Sequence, residues 1–198
     1  MNKQLWIEKA LGLGIQEFEI YQSTTVEKEM TWFQGQMDTL VSSKVTGTSI
    51  RGIVDGKMAN MALEEIDDSM CETVLKSLIE QAHIISNEET DSLRKPEPIE
   101  YVKKDVTWNM ASTEYVKDIL QSLEAKILAY DPRVIQVGYL GYSQGSGSRS
   151  IVNSLGMDVQ DADEMQYIVA SVVVKENEEI KDASLVEVVY DFEKYDLD

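Results

Sequence analysis

The sequence is short of several things, and each shortage excludes something. It has one cysteine, Cys71, so no disulfide can form within the chain. It has one histidine, His83, so no zinc site that needs two histidines can be built from a single copy. A self-contained His-Glu-x-x-His peptidase is thereby excluded. No stretch reaches the ~18 consecutive apolar residues of a membrane span. The opening Met1-Asn-Lys-Gln-Leu-Trp-Ile-Glu-Lys-Ala10 lacks the apolar run of a secretory signal. The expectation is a soluble, cytoplasmic protein without a membrane partner.

Positive charge is also scarce. Lys and Arg number 18 against 36 Asp and Glu, a formal net charge of −18. Phosphate backbones are bound by cations that displace counterions, so direct nucleic-acid binding is disfavoured. A basic protein partner, or an acidic surface that imitates DNA, stays open. With 198 residues and 43% hydrophobic content, the chain can bury a core without staples.

Periodicity supplies the elements. Residues 3–13 read as a helix capped by Asn2 and closed by Gly12 and Gly14. Strands are expected near 18–26, 29–34, 37–43, 46–54 and 57–63; Phe18, Ile20 and Val26 share one face of the first. Gln34-Gly35-Gln36 and Asp55-Gly56 supply turns, the latter a two-residue hairpin. A helix over 69–86 carries Met70, Val74, Leu75, Leu78, Ile79, Ala82 and Ile85 on one face, with Ser69 and Glu72 as a capping box. Residues 87–100, acidic and holding Pro96 and Pro98, read as a linker or long surface loop.

A second helix, 113–130, is capped by Ser112 or Thr113 and stopped by Pro132. Strands follow near 133–143, 148–153, 165–175 and 183–192. Gly145-Ser-Gly147, Asn153-Ser-Leu-Gly156 and Glu176-Asn-Glu-Glu179 are expected to supply the turns between them. Possible sub-halves, 1–86 and 101–198, echo one another, with Met37-Asp38 and Met157-Asp158 in matching places. The expected fold is α+β: a mainly antiparallel, mixed sheet with helices packed on one face, and a possible internal duplication.

Candidate chemistry is thin. Gly141-Tyr-Ser143-Gln-Gly145 matches G-x-S-x-G, but a strand rather than a helix follows, and no histidine lies downstream. The same glycines lack the lysine of a phosphate loop. Acidic clusters at 64–68, 88–91, 161–164 and 176–179 lack the ligand pattern of a calcium loop. Cys71 sits in a helix's first turn, where the dipole could lower its pKa, but with no obvious partner it reads as a plain small side chain. Trp6, Trp32 and Trp108 read as core or boundary residues. No catalytic residue and no metal ligand is assigned.

A family resemblance goes further. Gly47-Thr-Ser-Ile-Arg51-Gly-Ile-Val-Asp55-Gly56-Lys-Met-Ala-Asn-Met-Ala62 resembles the Gly-x-x-x-Arg…Asp-Gly hairpin of the TldD/PmbA family. Leu11 to Tyr21, with Glu19-Ile-Tyr21, resembles its first helix and strand. Asn153-Ser154-Leu-Gly156 resembles its Asn-Ser-x-Gly turn, and Asp191 to Asp198 the segment before its next domain. The hairpin's usual second glycine, near Ala59 or Asn60, is missing. The resemblance covers essentially all of 1–198 as an N-terminal domain, with the C-terminal domain absent.

It implies a noncatalytic part of a zinc metallopeptidase assembly that degrades or matures small peptides and unfolded proteins. Such proteins are called modulators of DNA gyrase. The zinc would belong to a TldD-type catalytic domain or subunit, with no cofactor in this chain. Expected partners are a TldD-type subunit or a second copy. The Glu19-Ile-Tyr21 strand and the Asn153-Ser154 turn lean towards the PmbA type. By the resemblance, Gly47, Arg51, Asp55, Gly56, Asn153, Ser154 and Gly156 are structural or interface residues. Glycines 47, 56 and 156 and Asp55 suit turns or close backbone approach. Arg51 suits a salt bridge on the sheet or a contact with a subunit or peptide.

Overall fold

The computed structural model describes residues 1–64, 66–86, 88–98 and 107–195. The elements are α1 (Lys3–Gly12), β1 (Glu17–Phe33), β2 (Gln36–Val54), β3 (Lys57–Leu63), α2 (Cys71–Ile84), α3 (Thr113–Tyr130), β4 (Val134–Asn153), β5 (Asp158–Glu176) and β6 (Glu179–Val188). The fold is α+β, with a six-stranded antiparallel sheet in the order β3-β2-β1-β4-β5-β6. Helix followed by three strands occurs twice along the chain, and Met37 and Met157 each stand at the entry to the second strand of their set.

The chain divides into two compact units that interleave in sequence. Unit 1 holds residues 1–24, 45–102 and 147–162, and unit 2 holds 25–44, 103–146 and 163–198. This explains why the expected strands come out merged. β1 is one strand where 18–26 and 29–34 were expected. Its even residues feed unit 1 at Phe18 and Ile20, then unit 2 at Met30 and Trp32. Between them the same face carries Gln22, Thr24, Val26 and Lys28, none of them buried, so the apolar period lapses while the backbone ladder continues. Val26 is exposed, contrary to expectation. β2 runs unbroken through 36–54 in the same way. β4 corrects a turn: Gly145-Ser-Gly147 lies inside a continuous strand, 134–153.

Turn chemistry reads through well elsewhere. Gln34 and Gly35 have φ of 48° and 79°, and Asp55 and Gly56 have 50° and 74°. Two consecutive positive angles match the twist of a two-residue hairpin. Asn177, φ 55°, turns β5 into β6.

In unit 1, α1 and α2 pack Trp6, Ile7, Ala10, Val74, Leu75, Leu78 and Ala82 against Ile15, Phe18, Ile20, Ile50 and Val54. Asn2 caps α1 by accepting from the Leu5 N–H at 3.1 Å. The expected cap of α2 is displaced. A 3-10 turn, Asp68–Met70, precedes the helix, and the Asp67 carboxylate takes both the Ser69 N–H (2.7 Å) and its hydroxyl (2.5 Å). A charged acceptor outcompetes the Ser69 hydroxyl for that role, and these bonds hold Asp67 below the usual carboxylate range. Glu72 instead pairs with Lys76 at 2.6 Å, and Met70 is exposed. Cys71 is fully buried, as a plain small side chain would be, and burial pushes its thiol pKa up.

In unit 2, α3 begins at Thr113 with Ser112 as its cap, accepting from the Tyr115 N–H at 3.2 Å. Val116, Ile119 and Leu120 pack on Met30, Trp32, Val137, Leu140, Tyr142, Ile168 and Phe192. Tyr142 lies 2.8 Å from Gln166 Oε1, and burial raises its hydroxyl pKa to about 12. Glu124, on α3, is buried and accepts at one oxygen from both the Trp32 indole N–H and the Gly35 N–H, each at 2.8 Å. It therefore clamps the β1–β2 turn to the helix. Glu124→Ala leaves two donors unmet, one of them on buried Trp32. An expected loss of about 2 kcal/mol in urea unfolding checks this.

Arg133, just past α3, holds Asp131 in a two-pronged contact, Nε to Oδ1 at 2.9 Å and Nη2 to Oδ2 at 2.8 Å. The guanidinium brings the Asp131 pKa down to about 2. Asp131 thus binds its proton more weakly folded than unfolded. Its contribution to stability is present above the ordinary carboxylate range, near ~3.9, and is lost as pH falls through about 2. An NMR titration should find that low midpoint, and Arg133→Ala should return it to the ordinary range. An Asp131 midpoint unmoved by Arg133→Ala would contradict the contact.

Candidate functional site

Several of the residues carrying the family resemblance meet in unit 1. Glu19 projects from β1 between Phe18 and Ile20, and all three are buried. Its Oε1 accepts from Arg51 Nε at 2.7 Å and pairs with Nη2 at 2.6 Å. Arg51 stands on β2 opposite Asn60 of β3. The Arg51 side chain is 45% exposed against 3% for Glu19, so the guanidinium caps a buried carboxylate while keeping one side in water.

The second oxygen of Glu19 accepts from Asn153 Nδ2 at 3.1 Å. Asn153 is itself buried and organises the β4–β5 turn. Its Oδ1 accepts from the Leu155 and Met157 N–H groups, both at 3.0 Å. Its Nδ2 also donates to the Arg94 carbonyl at 2.9 Å. Ser154 completes the junction: its N–H donates to the Phe18 carbonyl at 2.8 Å, and its hydroxyl accepts from the Phe18 N–H at 2.9 Å. Gly156 sits at φ 94°, a conformation that a side chain would strain. A buried charge is tolerable only when paired and hydrogen-bonded, and this one is.

The sequence placed Arg51 in one motif and Asn153, Ser154 and Gly156 in another; the fold brings the two together at Glu19 and its neighbour Phe18. Asp55 and Gly56 form the hairpin tip and join a different cluster. The Gly56 N–H donates to Gln16 Oε1 at 3.1 Å, and Asp55 lies 3.7 Å from His83 Nε2. Gly47 has neither expected role. It lies within β2, and a Cβ there would meet Ser23 Oγ at an ordinary 3.8 Å. Gly52, on the same strand, is tight: a Cβ there would stand 2.9 Å from Leu78 Cδ2 and 3.0 Å from Ile15 Cγ2.

The segment expected as a linker is pinned along unit 1 in its described part, 88–98. The Asp91 N–H donates to the Gly56 carbonyl at 2.9 Å, and the Asp91 carboxylate accepts from the Met58 N–H at 3.0 Å. The Leu93 N–H donates to Glu17 Oε2 at 2.6 Å, and Leu93 is buried. Asn87 and residues 99–100 of that stretch lie outside the described residues, as do residues 101–106, Glu65 of the 64–68 cluster and residues 196–198.

Ser143 stands in mid-strand β4, and the strand continues past it where a nucleophile elbow would open a helix. The sole histidine, His83, is exposed beside Asp55, and no cluster of three His, Cys, Asp or Glu able to hold a metal occurs among the described residues. Among them, too, no helix is long and apolar enough to cross a membrane. The network around Glu19 is a fastening device: it ties β1, β2, the β4–β5 turn and the 88–98 segment to one buried carboxylate.

Sequence comparison matches residues 18–86 to PmbA/TldA metallopeptidase domain 1 and residues 107–196 to the PmbA/TldA metallopeptidase central domain. No curated protein matches the sequence significantly. The fold is similar to that of a candidate modulator of DNA gyrase from Thermotoga maritima MSB8, with a TM-score of 0.83 and 17% identity over 98% of this chain and 44% of that one. It is similar to TldE from Thermococcus kodakarensis, with a TM-score of 0.80 and 17% identity over 96% of this chain and 43% of that one. It is also similar to a candidate modulator of DNA gyrase from Bacteroides thetaiotaomicron VPI-5482, with a TM-score of 0.81 and 18% identity over 98% of this chain and 46% of that one. The chain therefore spans less than half the length of these relatives, and at such identities the likeness establishes the fold. The two domain matches, in order along most of the sequence, establish more: the chain belongs to the PmbA/TldD metallopeptidase family.

Proposed function

We propose that this chain is the noncatalytic N-terminal part of a PmbA/TldD-type protein, acting within a metallopeptidase assembly that degrades or matures small peptides and unfolded proteins. The observation that carries this reading is the succession of domain 1 and central-domain matches along one chain. A single histidine places any two-histidine zinc motif outside this sequence. The zinc then belongs to a TldD-type catalytic domain or subunit, and this chain supplies scaffold and subunit contacts. Likeness to a structure named TldE supports a TldD-type subunit as the partner.

Co-purification with a TldD-type subunit tests the reading. The expected result is a stable complex that cleaves an unstructured peptide, with cleavage lost when the partner's zinc is chelated. Absence of any complex would overturn it. The net charge of −18 favours one competing reading, an acidic module for a basic protein. That reading predicts tight binding to a basic partner, abolished by modest salt.

A further inference from the structure

A cavity of about 330 Å³ lies within unit 1, on the helix side of the sheet. Strand alternation builds its floor. Gln22 and Thr24 of β1 share the parity of Phe18 and Ile20, which lie in the core beneath α1 and α2. Ser148 and Ser150 of β4 share the parity of Val152, which packs against the same core. Gln160 of β5 continues the row, and Lys3, the first residue of α1, forms the wall. The Lys3 ammonium donates to Ser150 Oγ at 2.5 Å, which uses one of its three donors. Thr48 holds Gln22 at 3.2 Å and Thr46 holds Thr24 at 2.9 Å, so the floor is fixed in place. Arg149 and Asp161 border the cavity too. They alternate with the floor residues, so they face each other, 3.8 Å apart, on the opposite side of the sheet. The interior therefore presents one ammonium, hydroxyls and amides, with no carboxylate side chain on that face among the described lining residues. In a chain of 36 acidic and 18 basic residues this is a local inversion. A groove of about 460 Å³ in unit 2 follows the general rule, with Asp131, Glu176 and Glu179 against Arg133 and Lys181.

We propose that this cavity binds the carboxylate group of a small ligand. A carboxylate only accepts hydrogen bonds, and the Lys3 ammonium, the hydroxyls and the amides can all donate. One cation matches one negative charge. A phosphate monoester, at about −1.5 to −2, would call for a second. A cationic ligand would meet Lys3 and find no counterion on this face. Hydroxyls and amides beside the ammonium suit a ligand with a polar group next to its carboxylate. A 2-hydroxy acid has one, and so does the C-terminal residue of a peptide. At about 330 Å³ the space lies near the lower end of ligand pockets, roughly 300–1,000 Å³. It admits a small acid or the end of a chain, and not a folded partner. The net charge of −18 repels anions at a distance, so binding must come from these local groups.

This inference goes beyond the peptidase reading and does not rest on it. The test is an NMR titration of the isotopically labelled full chain with lactate and with N-acetylated tri-alanine. Saturable shifts are expected at the backbone amides of Gln22, Thr24, Ser148, Ser150 and Gln160. Lactamide and the tri-alanine amide should bind about tenfold more weakly or worse, because a hydrogen bond to a charged group is lost. Sodium chloride at equal ionic strength should not reproduce the shifts. Binding of lactate alone would identify a free small acid as the source of the carboxylate, and binding of the peptide acid alone a chain end; either upholds the proposal. Lys3→Gln should weaken binding about tenfold or more. Ser148→Glu, at an exposed position on β4, sets a carboxylate in the cavity and should abolish binding, which decides the matter if Lys3→Gln loosens α1. Arg149→Gln removes the same charge from the opposite face and should leave binding unchanged. The proposal is overturned if no saturable shift occurs, or if acids and amides bind alike. It also falls if methyl phosphate binds more tightly than either acid, or if Arg149→Gln weakens binding as much as Lys3→Gln does.

Discussion

Asn153→Ala is expected to cost about 3 kcal/mol, because one side chain serves four partners. It meets the Leu155 and Met157 N–H groups, the Arg94 carbonyl and the second oxygen of Glu19. A neutral hydrogen bond contributes about 1 kcal/mol net, and one to a charged group about 1.5–3 kcal/mol. Alanine also leaves the Glu19 carboxylate buried with only the half-exposed Arg51 guanidinium as counterion. Urea unfolding with an unchanged m-value is the measurement. A loss below about 1 kcal/mol would mean that solvent replaces the amide, against the burial seen here.

Asn153→Asp separates the two halves of that loss. It keeps the acceptor for both backbone N–H groups but sets a second carboxylate against Glu19. Two carboxylates sharing a site hold a proton more tightly than either does in the unfolded chain. The folded state then binds more protons, so this variant loses stability as pH rises through and above the carboxylate range. The alanine variant adds no second charge, so its dependence on pH is the smaller of the two. The contrast identifies the charge of Glu19, and not turn geometry alone, as what Asn153 answers.

How much of this was legible beforehand depends on the kind of signal. Helices α1 and α3, and the tips at Gln34-Gly35, Asp55-Gly56, Asn153–Gly156 and Asn177, could be read because caps and positive-φ turns are local properties of a few residues. The long strands could not. A period-2 pattern reports burial, and β1 leaves one core and enters another through Gln22 to Lys28 without burying anything between. The glycines at 145 and 147 look like a turn only if strands are assumed to be short; the observed β4 runs past both.

Glu19 escaped for a related reason. Its parity opposes that of Phe18 and Ile20, so alternation assigns it to solvent. In the fold both faces of β1 are covered there, because the Asn153 turn and the Arg94 backbone lie against the second face. Nothing in the neighbourhood of residue 19 announces a partner 134 residues away. Only the family resemblance drew the Glu19, Arg51 and Asn153 stretches onto one page, and it gave their order without their contacts.

Gly52 was also missed, and its replacement should have the other large effect. Gly52→Ala is expected to cost about 2 kcal/mol and Gly52→Val about 3 kcal/mol. Two effects oppose each other. A glycine inside a strand is a poor choice on entropic grounds, and alanine in open space would stabilise by about 0.4–1 kcal/mol. Here the space is not open. The first added carbon would lie 2.9 Å from Leu78 Cδ2, 3.0 Å from Ile15 Cγ2 and 3.6 Å from Phe18 Cδ2. All three side chains sit in the close-packed core of unit 1, so none can swing aside into solvent. The steric term therefore wins, and the sign of the alanine variant decides the matter.

A double-mutant cycle makes the cause specific. Leu78→Ala alone should cost about 2–5 kcal/mol by leaving a cavity. That cavity lies where the Gly52→Ala methyl needs room, so the double variant should be more stable than the sum of the single losses implies, by about 1 kcal/mol or more. Strict additivity would show that the strain at Gly52 lies in the backbone and not against Leu78. A stabilised Gly52→Ala would show that α2 does not press on β2 at this point.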